Sequence, residues 1–248
     1  MRRFFVPPGS LPAGGQGREV SLGGELAHRL ARVLRLAPGD RVVLADGSGR
    51  EFEVELTAVS QRSVSAVVVA EAVAPPEPAL ELVLYQSLIR GQRFELVLEK
   101  GTELGVSRFV PLVSERSQVR PERESGRAER WRRIVLEAAE QCGRGRPPTV
   151  EPPSSLSEAL AAAPGLRLLP WEGERAQGLR SLLRGPGERP AAVSLFIGPE
   201  GGFSQEEVEV ARKHGAAVVT LGRRILRSET AGIVAAALVM HELGELGG

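Results

Sequence analysis

The chain has 248 residues, of which 42% are hydrophobic and 25% charged, a composition typical of an ordinary soluble globular protein with one or two domains. A net charge of +1 gives no electrostatic reason to expect nucleic-acid binding. The longest apolar run, residues 233–240, is far shorter than the roughly 20 residues of a transmembrane helix. We therefore expect no association with a membrane.

Two further features predict the cellular location. Pro7 and Pro8 end the apolar residues 4–6 too early for the core of a secretory signal. Cys142 is the only cysteine, which excludes a disulfide within the chain and is typical of a reducing compartment. We therefore expect a cytoplasmic protein.

The first seventy or so residues are typical of a small β domain. Residues 51–56 alternate glutamate with an apolar residue, as a half-buried strand does. Residues 42–44 form a second predicted strand, which leads into the Asp-Gly-Ser-Gly turn at 46–49, and residues 64–69 form a third. A helix-like segment at 22–36 interrupts these strands.

Residues 75–78 (Pro-Pro-Glu-Pro) form a stiff boundary, beyond which predicted strands alternate with predicted helices. The predicted strands cover residues 80–88, 109–113, 166–170, 193–197 and 217–221. The predicted helices cover residues 93–104, 127–142 and 229–243, with one more starting at the capping box Ser204-Gln205-Glu206-Glu207. Such alternation predicts a mostly parallel sheet covered by helices. The pattern indicates a small β domain at 1–74 and an α/β domain at 75–248.

The last predicted helix is apolar around most of its circumference at residues 233–240. It must therefore be buried on more than one side. A dimer interface and burial within one subunit explain this pattern equally well.

A basic segment covers residues 116–146, with nine arginines against five glutamates. Arginine binds phosphate and stacks on bases, so the segment is a candidate for RNA binding. A solvated helix face with alternating charges is the other explanation. The arginines are Arg116, Arg120, Arg123, Arg127, Arg130, Arg132, Arg133, Arg144 and Arg146.

Two glycine-bearing turns, at residues 196–204 and 221–231, follow predicted strands and open into predicted helices. Open α/β sheets bind ligands at the carboxyl ends of their strands, and glycine allows a ligand to approach the backbone closely. The two turns therefore predict one ligand site that is built from two loops.

Three common ligand chemistries do not match these turns. Neither lysine of the chain follows a glycine, so there is no P-loop, and the spacing of a dinucleotide fingerprint is absent. The three histidines and Cys142 are too scattered for a metal cluster. The turns suit a ligand held by backbone groups, and S-adenosylmethionine would fit, although spacing alone does not select it.

Several segments, in order along both predicted domains, resemble a known family. In the second domain they include Ile197-Gly198-Pro199-Glu200-Gly201-Gly202 and Leu221-Gly222-x-Arg224-Ile225-Leu226-Arg227-x-Glu229-Thr230-Ala231. Earlier segments are His28-x-x-x-Val33-Leu34-Arg35, Lys100-x-x-Glu103-Leu104-Gly105-Val106, Pro111-Leu112-x-x-Glu115-Arg116 and Trp131-x-x-Ile134-x-x-Glu137-Ala138-x-Glu140-Gln141-Cys142-Gly143-Arg144. Together they resemble the knotted, SPOUT-type RNA methyltransferases, and within them the bacterial ribosomal small-subunit methyltransferase E family. Phe203 stands where the family often has leucine, and both are apolar.

The resemblance implies a fold and an activity. The fold is an α/β fold with a PUA-like β-barrel domain at 1–74 for RNA binding and a SPOUT domain with a deep trefoil knot at 75–248, in a homodimer. The activity is S-adenosylmethionine-dependent methylation of N3 of a uridine in 16S rRNA, on free RNA or on the assembled small ribosomal subunit. The alternatives are a related knotted enzyme acting on ribose 2′-O or another base, and a non-catalytic RNA-binding assembly factor.

Expected site residues follow from the resemblance and from the chemistry of uridine N3. Arg227 would stabilise negative charge on the uracil, and Glu229 or Glu200 would accept its proton, although Glu229 is also favourable simply as an acidic residue in the first turn of a helix. The expected cofactor-binding residues are Leu169, Ile197, Gly198, Glu200, Gly201, Leu221, Gly222, Ile225, Leu226, Arg227, Thr230 and Ala231. The expected RNA contacts are His28, Arg32, Arg35, Lys100, Arg116 and Arg144. A core histidine is the other explanation of His28. Cys142 is expected to be structural or near RNA, because N3-methylation needs no covalent step, and no metal is expected.

Overall fold

The computed structural model describes residues 1–11, 15–119 and 126–247. These residues form two compact units. Unit 1 contains Met1–Glu77 and Ala139–Pro147. Unit 2 contains Pro78–Ala138 and the chain from Pro148 onwards.

Unit 1 contains a five-stranded sheet in the order β1-β3-β4-β5-β2. Its strands are β1 (Arg2–Phe5), β2 (Glu19–Gly23), β3 (Arg41–Ala45), β4 (Arg50–Val59) and β5 (Ser63–Val73). The pairing of β1 with β3 is parallel, and the other pairings are antiparallel. The predicted turn at 46–49 connects β3 to β4. The apolar residues of β4 (Phe52, Val54 and Leu56) are buried, as the alternation predicts.

The helix-like segment of unit 1 is shorter than predicted. Helix α1 (Gly24–His28) begins only at Gly24, because Leu22 and Gly23 still pair with β5, and it continues as a π-helical turn over Arg29–Val33. Its inner face packs Ala27 and Leu30 into the core of unit 1. The segment ends at Arg35, whose φ of 54° is the only left-handed value at a non-glycine residue in the described chain.

Unit 2 contains an entirely parallel sheet in the order β12-β10-β11-β6-β7-β8, and β9 pairs separately with β7. Its strands are β6 (Glu81–Ser87), β7 (Arg108–Val113), β8 (Thr149–Val150), β9 (Ser154–Ser155), β10 (Leu166–Pro170), β11 (Ala192–Ile197) and β12 (Ala217–Val219). The predicted parallel sheet is confirmed. Strand β12 ends before residue 221, because Thr220 makes only an isolated bridge to Gly178 and the chain turns at Gly222 with a φ of 122°.

Six helices accompany the two sheets beyond α1 in the described chain. They are α2 (Arg93–Glu103), α3 (Arg127–Cys142), α4 (Leu156–Ala162), α5 (Leu179–Leu183), α6 (Gln205–Lys213) and α7 (Ser228–Glu242). The predicted capping box at α6 is present, with the Ser204 hydroxyl accepting from the Glu207 backbone and the Glu207 carboxylate accepting from the Ser204 backbone. No described helix is long and apolar enough to cross a membrane.

The sheet of unit 2 separates two apolar cores. Alternate residues of β6 point to opposite faces, with Leu82 and Leu84 in one core and Val83 and Tyr85 in the other. Helices α2, α3 and α7 cover the first core, and α4 and α6 cover the second. This arrangement leaves the carboxyl ends of the central strands as an edge at which loops meet.

Helix α7 is buried on one face within the chain. Gly232, Ala236 and Val239 are buried against neighbours that include α2, β6 and β11. Ile233 and Leu238, at the two edges of this face, pack against the same core but are only partly buried. Burial within the subunit therefore explains part of the all-round apolar pattern.

Candidate functional site

A pocket of about 500 Å³ lies where β10, β11 and β12 end. This size is within the usual range for a small-molecule site, about 300–1,000 Å³. Both glycine turns line it, so the structure brings together the two loops that the sequence predicts to form one site. The predicted cofactor residues in its wall are Ile197, Gly198, Glu200, Gly201, Leu221, Gly222, Ile225, Leu226, Arg227 and Ala231.

Two of the expected cofactor residues lie elsewhere. Leu169 is fully buried, and its side chain packs in the core covered by α4 and α6. Thr230 is exposed in the first turn of α7 and does not line the pocket.

The first glycine turn, residues 198–202, is tightly packed. The Gly202 amide donates to the Pro199 carbonyl over 3.0 Å, and Gly202 has a φ of 67°. A Cβ atom on Gly202 would lie 2.3 Å from Oε1 of Glu172, and one on Gly198 would lie 3.0 Å from the Phe203 amide nitrogen. These glycines are therefore required by the turn itself, quite apart from any ligand.

The second glycine turn, residues 220–226, is open. The Thr220 hydroxyl contacts both the amide and the carbonyl of Gly222 over 3.2 Å. A Cβ atom on Gly222 would meet nothing within 4 Å, so only the φ of 122° demands glycine there. Ile225 is 79% exposed and lines the pocket, which gives the loop an apolar surface that a bound ligand would cover.

Charged side chains line the pocket at the start of α2 (Arg93), at the start of α7 (Arg227 and Glu229) and in the first glycine turn (Glu200). Oε1 of Glu229 lies 3.8 Å from Nε of Arg93, while its Oε2 atom is buried and has no hydrogen-bond partner in the described chain. Glu200 accepts from the Arg90 amide over 3.1 Å and also lies 3.8 Å from the Arg93 guanidinium. Arg227, the N-cap residue of α7, is exposed and pairs with no carboxylate among the described residues.

Arg93, Trp171, Glu172 and Arg175 line the pocket, although sequence reasoning did not select them. Arg93 follows β6, and the other three follow β10. Because the carboxyl ends of parallel strands meet at one edge of a sheet, the segment after each predicted strand was the signal that could have identified them.

The expected RNA contacts in unit 2 have protein partners. The Arg116 guanidinium donates to the Gly201 carbonyl over 2.9 Å, and its aliphatic stem packs 3.4 Å from the Cβ position of Gly201. Arg116 thus supports the first glycine turn. Lys100 lies 2.8 Å from both Glu103 and Glu99, and these carboxylates raise its pKa above the usual range.

The expected RNA contacts in unit 1 differ in exposure. His28, Arg32 and Arg35 are all exposed on α1 and the turn that follows it. Arg144 instead has a side chain only 11% exposed, and its guanidinium pairs with Glu77, so the structure gives it a structural role. Cys142 is exposed, belongs to unit 1 and does not line the pocket.

The basic segment at 116–146 is partly an ion-paired helix face. Arg130 pairs with Glu95 over 2.7 Å, and Arg127 lies over the Trp131 ring. Arg120 and Arg123 lie outside the described residues. No group of three or more metal-ligating side chains occurs within residues 1–11, 15–119 and 126–247.

Known proteins resemble this chain over nearly its whole length. Residues 75–240 match the model of the RNA methyltransferase domain, and residues 22–69 match that of the RNA methyltransferase PUA domain. The chain is 32% identical to ribosomal RNA small subunit methyltransferase E of Bacillus subtilis, over 90% of each protein. It is 36% identical to the Synechocystis protein of the same name, over 86% of this chain and 69% of that one.

Solved structures agree with this match. The ribosomal RNA small subunit methyltransferase E of Neisseria gonorrhoeae, bound to S-adenosyl methionine, is 34% identical with a TM-score of 0.84, over 97% of both chains. A Legionella pneumophila methyltransferase in complex with the same cofactor is 30% identical with a TM-score of 0.86, over 96% of both chains. The α/β architecture with an N-terminal PUA-like domain is therefore that of a methyltransferase. The chain belongs to the RNA methyltransferase family and, within it, to the ribosomal RNA small subunit methyltransferase E proteins.

Proposed function

We propose that this protein transfers a methyl group from S-adenosylmethionine to N3 of a uridine in the 16S rRNA of the small ribosomal subunit. The observation that carries the proposal is the pocket at the strand ends, which combines two glycine turns with Arg227 and Glu229. The family supplies the methyl donor and the class of substrate. The side chains at the pocket supply the argument for the chemistry.

The pocket residues fit the cofactor. The open space beside Gly222 and the exposed apolar side chain of Ile225 suit a ligand held by backbone groups and covered by a loop. When bound, S-adenosylmethionine supplies an electrophilic methyl group. We assign its binding to the ten predicted residues that line the pocket and leave out Leu169 and Thr230.

Uridine N3 carries an imide proton that must leave before the nitrogen lone pair can attack a methyl carbon. We assign the removal of that proton to the carboxylate of Glu229, a residue that lines the pocket and whose buried Oε2 atom has no hydrogen-bond partner among the described residues. Glu200 is a weaker candidate, because its carboxylate already accepts from the Arg90 amide. As N3 loses its proton, negative charge develops on O2 and O4, and the unpaired Arg227 guanidinium is placed to stabilise it.

We assign RNA binding to a PUA-like barrel of residues 1–74, through the exposed His28, Arg32 and Arg35. The register shifts between the long strands β4 and β5 are the kind of irregularity that curves a sheet towards a barrel. Arginine contacts to phosphate predict that affinity for the RNA falls steeply as salt rises, and a salt-independent affinity would contradict this assignment.

We further propose that residues 75–248 contain a deep trefoil knot and that the protein works as a homodimer. After β12, at the sheet edge, the chain returns across β10, and α7 packs on β11 and β6, a path compatible with threading a loop. The partly exposed Ile233 and Leu238 of α7 suit a subunit interface. Light scattering should give about twice the 26.5 kDa of one chain. Action on ribosomal RNA also suits a cytoplasmic location.

The test of the function is modification mapping. Small ribosomal subunits that lack the methyl group, and free 16S rRNA, are incubated with the protein and labelled S-adenosylmethionine, and the modified nucleotide is identified by mass spectrometry. We expect one N3-methyluridine. A methyl group on ribose 2′-O or on another base would support the related knotted enzymes instead. Failure to bind S-adenosylmethionine in calorimetry would support a non-catalytic assembly factor.

Cys142 provides a second check on the chemistry. It does not line the pocket, and N3-methylation proceeds without a covalent enzyme–uracil bond. We expect the Cys142→Ala variant to methylate at the wild-type rate. An inactive Cys142→Ala variant that still binds cofactor would argue against N3 chemistry.

A further inference from the structure

Gln86, near the carboxyl end of β6, has a side-chain amide that is almost entirely buried, with 1% exposure. Its Nε2 atom donates to the Ser228 hydroxyl over 2.9 Å and to the Ser87 carbonyl over 3.3 Å. The Ser228 hydroxyl, which has a single proton, in turn donates to the Gly198 carbonyl over 2.5 Å. We call this chain of hydrogen bonds, from Gln86 through Ser228 to Gly198, the Gln86 relay.

The relay joins the two halves of the pocket. Gly198 opens the first glycine turn, and Ser228 is the first residue of α7, where the second turn ends. Ser228 also lies between Arg227 and Glu229 in the chain. Hydrogen bonds that fix its hydroxyl therefore fix the backbone from which both of these side chains extend. Gln86 itself does not line the pocket and acts only through Ser228.

Stability alone does not explain an amide at position 86. The Oε1 atom of Gln86 is buried with no hydrogen-bond partner in the described chain, and burying an unpaired polar atom is unfavourable. A Cβ atom on Gly232 would lie only 2.5 Å from this oxygen, so α7 approaches Gln86 at a residue without a side chain. A leucine would fill similar space without the unpaired oxygen, and it would lack the donor to Ser228.

We propose that Gln86 is a positioning residue for methyl transfer. It holds Ser228, and through Ser228 the backbone of Arg227 and Glu229, in a fixed position relative to the first glycine turn at Gly198. The proposal rests on the proposed function, because its consequence is the alignment of the reacting groups. Misplacement of a reacting group by about 1 Å can slow catalysis about 100-fold.

The test uses Gln86→Leu and Ser228→Ala, with Ser194→Ala as the matched control. Ser194 is also a fully buried serine of unit 2 whose hydroxyl donates to a backbone carbonyl, that of Pro164, over 2.7 Å, and it does not line the pocket. We expect kcat to fall about tenfold in both relay variants, with the KM for RNA within about twofold of wild type, because one aligned hydrogen bond is lost. The S-adenosylmethionine dissociation constant, measured by calorimetry, should rise about fivefold. In Ser228→Ala the Gly198 carbonyl loses its donor, and in Gln86→Leu that donor is no longer held by the Gln86 amide. Ser194→Ala should change neither quantity by more than about twofold, since it loses an equivalent hydrogen bond away from the site.

Two further variants separate positioning from a general loss of structure. Ser228→Thr keeps the hydroxyl and should recover most of the kcat that Ser228→Ala loses. The double variant Gln86→Leu/Ser228→Ala should be no slower than the slower single variant, because both changes break the same relay. The proposal is overturned if Gln86→Leu keeps kcat and cofactor affinity within about twofold of wild type, or if the two losses multiply.

The outcomes also distinguish the relay from the proposed function. If wild-type protein leaves uridine unmethylated, the proposed function fails, while the relay is still judged by the cofactor affinity of the variants. If wild type is active and the relay variants match it in both kcat and cofactor affinity, only the relay fails.

Discussion

The first glycine turn of the pocket, residues 198–202, is packed on several sides, whereas the second, residues 220–226, faces open space. Arg116 donates to the Gly201 carbonyl, and Glu172 lies against Gly202. By contrast, Gly222 has no neighbour at its Cβ position, and Ile225 is 79% exposed. The comparison indicates that the first turn is a preformed wall, whereas the second is open to contacts with a ligand. Arg227 and Glu229, to which we assign the chemistry, follow the open turn.

The largest expected effect is at the end of the open turn. Arg227→Ala removes the guanidinium that we assign to charge stabilisation, and loss of one such donor typically lowers kcat by about 10²–10³-fold. Stopped-time methylation assays with saturating cofactor measure this loss. If Arg227 served only to hold the cofactor, the dissociation constant of S-adenosylmethionine would rise instead and kcat would persist.

Glu229 and Glu200 provide the next contrast, because one follows the open turn and the other lies in the packed turn. Glu229→Gln should lower kcat by about 100-fold, the usual contribution of a general base, and part of the loss should be recovered as the pH rises and hydroxide replaces the missing base. Glu200→Gln should cost less than about tenfold, since the proton is assigned to the other carboxylate. A Glu229→Gln variant with near-normal activity at neutral pH would remove Glu229 as the base.

Substitution of the packed turn should act on stability. Gly202→Ala places a side chain at a φ of 67° and a Cβ atom against Glu172, so the free energy of unfolding should fall by about 1–2 kcal/mol. Chemical denaturation measures the change. An unaffected free energy of unfolding would show that the first turn is as adaptable as the second.

Substitution of the open turn should act on binding instead. Gly222→Ala introduces strain at a φ of 122° in an exposed loop that can relax, so we expect the free energy of unfolding to change by less than about 0.5 kcal/mol. The affinity for S-adenosylmethionine should fall about tenfold, because the loop no longer adopts the bound backbone without strain. Calorimetry on Gly222→Ala beside Gly202→Ala makes the comparison directly. Equal effects of the two variants on stability would contradict it.

The smallest expected effect concerns Arg116, whose side chain supports the packed turn. Arg116→Ala removes one hydrogen bond to the Gly201 carbonyl from an exposed side chain, and the free energy of unfolding should fall by about 0.5–1 kcal/mol. The cofactor affinity should fall only about two- to fivefold, which is the same free energy expressed as binding. The check is a melting curve with and without S-adenosylmethionine. A large loss of RNA affinity with unchanged cofactor affinity would instead support a direct contact between Arg116 and the RNA.

Most regular elements could be predicted because their information is local. The alternation in β4, the strands around residues 109–113 and 166–170 and the capping box at Ser204 all follow from residues close in sequence. Strands β1, β2, β8 and β9 were missed because two to five residues are too few to show a clear period. Helices α4 and α5 were missed because short helices depend on tertiary packing. Contacts between residues far apart in sequence could not be predicted either, because they also depend on tertiary packing. Arg144 meets Glu77, which is 67 positions away, so its exposure could not be judged from its basic neighbours.

The sequence by itself determined the parallel α/β pattern of the second domain, the two glycine turns and, through its resemblance to a family, the class of reaction. Periodicity and backbone constraints depend on residues that are close in sequence, so they can be recognised before the fold is known. Only the tertiary structure decided which strand ends are neighbours. The order β12-β10-β11-β6 brings Arg93 to the pocket and Gln86 to Ser228, which is 142 positions further along the chain. This order is not set by local sequence, because strands that are far apart in the chain can pair by hydrogen bonds.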